Sequence, residues 1–133
     1  MKQSHKRILG IDYGEKKTGI AFAEGPLAEP VEVIYHQTVE SLLNQLQKVV
    51  QKYEPEMLVI GMPSGMQGEE VKEVIDKIKE EINLPIEVVD EGFSTREAQM
   101  LSRDVGMARK KRKRMEDAYA ASIILQKYLD NAR

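Results

Sequence analysis

Cysteine and tryptophan are absent from this sequence of 133 residues, histidine occurs twice, and aromatic residues make up only 5%. Without cysteine there can be no disulfide, zinc ribbon or thiol nucleophile. The scarcity of aromatic side chains, with no tryptophan, argues against a platform of stacked bases such as single-strand binders use. No apolar run approaches the ~18 residues that a membrane span needs. Met1-Lys2-Gln3-Ser4-His5-Lys6-Arg7 leads into a strand-like run without the apolar core of a signal peptide. The expectation is a cytoplasmic protein with no membrane partner.

What is present fits one soluble domain over residues 1–133, with 41% hydrophobic and 32% charged residues. The net charge of −2 conceals an asymmetry. Residues 1–108 carry 12 Lys/Arg against 19 Asp/Glu, whereas residues 109–133 carry 8 against 3. Most of the reversal is one run, Arg109-Lys110-Lys111-Arg112-Lys113-Arg114. An acidic body with a concentrated basic segment points to an anionic partner.

The hydrophobic pattern predicts strands at Arg7–Asp12, Thr18–Ala23 and Val31–Tyr35, the first two forming a hairpin. Thr38 is placed to cap a helix from Val39 to Tyr53, which Pro55 ends. The continuous apolar run Met57–Met62 suits a strand buried on both faces of a parallel sheet. A second amphipathic helix carries Val71, Val74, Ile75, Ile78 and Ile82, and a fifth strand spans Ile86–Glu91. Ser94 or Thr95 can cap a short helix through Leu101. Gly106 and the basic run then read as a connector before a last helix from about Met115 to Leu129. Its inner face is expected to use Ala118, Ala121, Ile123, Ile124, Leu125 and Tyr128. A meander of three strands followed by αβ units is the element order of the ribonuclease H-like fold. It predicts a mixed five-stranded sheet flanked by helices. A doubly wound dinucleotide-binding domain would instead begin βαβ with G-x-G-x-x-G.

Three places put acids where a core prefers otherwise. Asp12 ends one apolar strand and Asp90-Glu91 ends another. Asp117 shares the apolar helix face of Ala121 and Ile124 by i, i+4 and i+7 spacing. Glu116 competes with it, but one position over points about 100° away. Carboxylates converging from two strand ends and a helix can hold Mg²⁺ or Mn²⁺ and support phosphodiester hydrolysis. Each acid taken alone suits a turn or a cap equally well, and Asp117 also suits a helix dipole.

Four segments together resemble one family. Ile11-Asp12-Tyr13-Gly14-Glu15-Lys16-Lys17-Thr18-Gly19-Ile20-Ala21 resembles the opening motif of the YqgF/RuvX family of Holliday-junction-resolvase-like pre-16S rRNA nucleases. Val59-Ile60-Gly61-Met62-Pro63 with Gly68 resembles its fourth-strand motif and loop. Val89-Asp90-Glu91-Gly92-Phe93-Ser94-Thr95-Arg96-Glu97-Ala98 resembles its D-E-R-[LF]-[ST]-T-x-x-A motif. The segment from Glu116-Asp117-Ala118 to Gln126 resembles its C-terminal helix. The resemblance implies a ribonuclease H-like nuclease that matures the 5′ end of 16S rRNA in the bacterial cytoplasm. Its catalytic and metal-binding acids would be Asp12, Glu91 and Asp117, with Asp90 as alternate. Three positions depart from the family pattern. Lys17 and Gly92 stand where the family usually has Arg, and Gly65 occupies a region where Asn is common. Lysine keeps the charge but loses the bidentate fork for phosphate.

On the substrate side, Lys16, Lys17, Arg109, Lys110, Lys111, Arg112, Lys113 and Arg114 are the expected phosphate contacts, to structured RNA or to branched DNA. Two alternatives stay open: a Holliday-junction resolvase, or a catalytically weakened RNA-binding assembly module. An Asp-x-Gly strand turn also opens the sugar kinases of the actin superfamily, but those need two lobes around ATP and this chain supplies one. A homodimer is compatible with all of these readings.

Overall fold

The structure, a computed structural model, describes residues 6–63, 68–90 and 109–131. The expected short helix between Ser94 and Leu101 lies outside them. The elements run β1 (Arg7–Asp12), β2 (Lys17–Glu24), β3 (Ala28–Tyr35), α1 (Val39–Tyr53), β4 (Met57–Met62), α2 (Gly68–Glu81), β5 (Ile86–Asp90) and α3 (Arg109–Asn131). The sheet order is β3-β2-β1-β4-β5, with β1–β2 and β2–β3 antiparallel and β1–β4 and β4–β5 parallel. This is the expected mixed five-stranded sheet.

Local chemistry explains the boundaries. The Ser41 backbone N–H donates to Thr38 Oγ1 at 3.0 Å, so the cap forms where predicted. Glu54 closes α1 in the left-handed region at φ 50°, and Pro55 prevents continuation. Strand β3 begins earlier than expected, at Ala28, and includes Pro30. An edge strand tolerates a proline, and the register shifts nearby between Ile20 and Ala21. Helix α3 also begins earlier, at Arg109, so the basic run is helical rather than a connector. Arginine and lysine are good helix formers, and no glycine or proline interrupts the run.

Two hydrophobic layers sandwich the sheet. Leu9, Ile11, Ile20, Ile34, Leu58 and Ile60 pack with α1 and α2 through Leu42, Leu46, Val74 and Ile78. Ile8, Ala21, Ala23, Met57 and Val59 pack with Ala121, Ile124 and Leu125 of α3 on the other face. Ile123, expected on that inner face, instead groups with Met115, Tyr119 and Ala120. Gln126 pins α3 to the β2–β3 hairpin, accepting from Ala28 N at 2.9 Å and donating to the Pro26 carbonyl at 2.8 Å.

Candidate active site

The alternation of side chains along β1 decides which face Asp12 serves. Ile8 packs with α3, and a Cβ on Gly10 would come within 2.8 Å of Leu125 Cβ. Asp12 is two residues further and therefore belongs to the same face. It is half-buried, opposite Gly19 in the antiparallel register and Gly61 in the parallel one. The chain continues that pairing for one more residue, since Tyr13 N donates to the Gly61 carbonyl at 3.0 Å.

Gly19 brings the second acid in. A Cβ there would overlap the Asp117 carbonyl and lie 2.9 Å from Ala118 N. The helix backbone thus rests directly on the strand position that faces Asp12. A residue with any side chain at position 19 would hold α3 off the sheet. Gly61, the other neighbour of Asp12, makes similar room, and a Cβ there would meet Ile124 Cδ1 at 2.6 Å. The sheet face under α3 is therefore lowered by glycine on three adjacent strands, and Asp12 and Asp117 converge at its end.

The Asp117 carboxylate pairs with Lys17, with Nζ to Oδ2 at 3.2 Å and side chains 52% and 27% exposed. The hydrogen bond to Asp117 is the main cause that raises Lys17 above the ordinary lysine value, followed by the charge of the same carboxylate. Such a half-exposed pair contributes only about 0–1 kcal/mol to stability. Its meaning is local: the cation expected to meet phosphate rests on a candidate catalytic acid. Lys16 is exposed in the turn, and its carbonyl accepts from His36 N at 2.9 Å. Arg109 through Arg114 form the first turns of α3, immediately before Met115 and the two acids of its next turn. Asp90 ends β5 in register with Met62, and Glu91 lies outside the described residues. Among the described residues, no three His, Cys, Asp or Glu side chains group closely enough to hold a metal.

Sequence reasoning passes over the polar floor beside this site. Thr18 is fully buried, and its Oγ1 lies 2.8 Å from Nε2 of His36, which is 5% exposed. Burial pushes His36 below its ordinary value, and a weak contact with the Thr38 backbone opposes the shift. His36 Nδ1 has no partner at hydrogen-bond geometry, a deficit of about 1–3 kcal/mol for a buried polar atom. The Tyr13 ring lies beside it, centroids 6.4 Å apart. Burial, reinforced by the charges of Glu15 and Glu70, raises the Tyr13 phenol. The only sequence signal for this cluster is that Thr18 stands near the start of β2 and His36 directly follows β3.

Two carboxylates at one strand crossing offer a donor set suited to a hard divalent ion. Oxygen ligands without histidine or cysteine suit Mg²⁺ or Mn²⁺.

Comparison with known proteins gives a consistent picture. The family profile described as RuvX, Holliday junction resolvase, matches residues 6–131. A protein of Desulforamulus reducens named "Putative pre-16S rRNA nuclease" is 40% identical, covering 94% of this chain and 97% of its own. A protein of the same name from Halothermothrix orenii is 39% identical, covering 93% and 94%. Among solved structures, Thermus thermophilus RuvC in complex with a Holliday junction substrate superposes with a TM-score of 0.62 at 16% identity, covering 96% of both chains. At that identity the likeness establishes the fold alone.

Proposed function

The chain belongs to the RuvX family, and from that premise we propose that it is a metal-dependent nuclease that hydrolyses phosphodiester bonds in precursor 16S rRNA. The observation that carries this reading is the seat of α3 on Gly19, which brings Asp117 beside Asp12. The third acid we propose is Glu91, two residues beyond Val89, which packs on the α3 side of the sheet.

Asp12, Glu91 and Asp117 would hold Mg²⁺ or Mn²⁺. The bound ion would supply an activated water and charge stabilisation for the leaving oxygen. The protein's own part is placement. The glycine-lowered sheet fixes two carboxylates against a rigid helix, and the core beneath holds them in register. Lys16 and the six cations at 109–114 would meet the phosphates on either side of the cleaved bond and make binding salt-dependent. Lys17 would hold the Asp117 carboxylate in place until substrate and metal arrive. The expected compartment is the bacterial cytoplasm, where ribosomal precursors are found.

The test is cleavage of a structured 16S precursor transcript and of a four-way DNA junction, with Mg²⁺ or Mn²⁺, by wild type and Asp12→Asn. The reading predicts cleavage of the transcript by wild type and its loss in the variant. Cleavage that persists in Asp12→Asn, or that never occurs with either ion, defeats it. Preference for the junction would make the protein a resolvase instead.

A further inference from the structure

Next to the acids, where the turn before β2 meets the end of β3 and the first turn of α1, lies an open cleft of about 850 Å³ lined by Lys16, Tyr35, His36, Gln37 and Ser41. We propose that this cleft seats one unpaired nucleotide of the substrate, with its base against Tyr35 and its phosphate beside Lys16. The proposal rests on the nuclease reading above and specifies which part of the nucleic acid that site selects.

Position is the first argument. Tyr35 is the register partner of Lys17, the residue whose Nζ is 3.2 Å from Asp117 Oδ2. Paired residues in an antiparallel ladder stand about 5 Å apart. The aromatic wall of the cleft is thus one strand away from the cation on the candidate catalytic acid. A nucleotide in the cleft would be contiguous with a phosphate at the acids.

Chemistry is the second. Tyr35 ends edge strand β3 with 58% of its surface exposed, while its carbonyl is tied to α1 by Gln45 Nε2 at 2.9 Å. Its backbone is anchored and its ring is open to a ligand. A single exposed aromatic is unremarkable by itself. Here it faces a cleft that also offers a cation, since Lys16 has no carboxylate partner among the described residues. Gln37 and the Ser41 hydroxyl add donors and acceptors suited to a base edge or a 2′-hydroxyl. His36, which also lines the cleft, keeps a buried Nδ1 without a hydrogen-bond partner among the described residues. The cleft's volume falls within the roughly 300–1,000 Å³ range of small-ligand sites. A ring, a cation and hydrogen-bonding side chains together match what recognition of one unstacked nucleotide requires. A base paired within a continuous duplex presents no open face to Tyr35. The site therefore favours a loop or a single-stranded flank beside the cleaved bond.

The experiment is fluorescence anisotropy in EDTA, where binding is read without cleavage. The probes are a labelled RNA hairpin with a single-stranded flank and a fully paired RNA duplex of equal length. Tyr35→Ala is expected to raise the Kd for the flanked hairpin by about 5- to 150-fold, the range of one lost base stack, and to leave the duplex Kd unchanged. Tyr35→Phe should bind like wild type. Leu27→Ala, which alters another exposed hydrophobic residue of β2–β3, should also bind like wild type. An unchanged Kd in Tyr35→Ala, or an equal loss on both RNAs, overturns the proposal. Tyr35-dependent binding without cleavage in any divalent ion would keep the subsite and defeat the nuclease reading. Cleavage with no dependence on Tyr35 would do the reverse.

Discussion

Replacing Gly19 with alanine isolates the packing on which the site depends. A methyl at this position overlaps the Asp117 carbonyl, which is helix backbone and cannot rotate away. Normal separation of about 3.5–4.0 Å returns only if α3 and β2 part by about 2 Å. The parting loosens Ala121, Ile124 and Leu125 against the sheet. Overpacking of this kind typically destabilises by about 1–3 kcal/mol. At roughly 3–6 °C per kcal/mol for a domain of this size, the melting temperature should fall by about 3–18 °C. Gly61→Ala is the matched control, because its new methyl overlaps only the terminal Cδ1 of Ile124, which can move, and meets the rest of that side chain at 3.4 Å. Its cost should stay below about 1.5 kcal/mol. Thermal melts of both variants without metal test the order. Cleavage measured below both melting points tests the geometry, since a misplacement of about 1 Å can cost 10²-fold in rate. If Gly19→Ala melts and cleaves like wild type, α3 does not rest on β2 as described and the convergence of the two acids fails with it.

Three further outcomes follow from the same structure. Because burial lowers the pKa of His36, the unfolded chain takes up its proton first as pH falls, so stability should decline below about pH 6.5, by at most about 1.4 kcal/mol per pH unit from this group. His36→Gln should flatten that part of a urea-midpoint profile, and an unaltered profile would show that His36 is not the titrating group. Replacing Arg112, Lys113 and Arg114 with alanine should weaken RNA binding and reduce the slope of log K against log salt by roughly one unit per lost phosphate contact; an unchanged slope would leave these residues as a solvated helix end. Lys17→Gln removes the cation from Asp117 and should tighten Mn²⁺ binding by up to about fivefold in calorimetry, whereas weaker binding would show that Lys17 supports the metal site rather than competing for it.

The parts of this site legible in the sequence are those that obey a simple period. Asp12 stands at the end of an apolar strand, and the helical spacing of Asp117, Ala121 and Ile124 places that acid toward the sheet. Gly19 is harder to interpret, because a glycine in a strand reads as weakness until the helix that crosses it is known. Its partner is about 100 residues away, as is the Asp117 that claims Lys17. Lys17 in a turn looks like a free phosphate contact for the same reason. The boundaries differ where two local rules conflict. The sequence pattern starts the third strand at Val31, just after Pro30, yet an edge strand accepts that proline. Six adjacent cations read as a connector, yet helix propensity carries α3 through them. Tyr35 and His36 carry no motif, and only the pairing of β2 with β3 shows that they stand beside the acids.

The central claim is that Asp12 and Asp117 form one divalent-cation site, and its most direct test is Mn²⁺ binding in the absence of nucleic acid. Titration followed by calorimetry or by the loss of the free-ion paramagnetic signal should give saturable binding to wild type. Asp12→Asn and Asp117→Asn should each weaken it by more than about tenfold, and the double variant should bind scarcely less than either single one, as expected of residues that share a site. Wild-type affinity in either variant, with circular dichroism confirming the fold, would contradict the account.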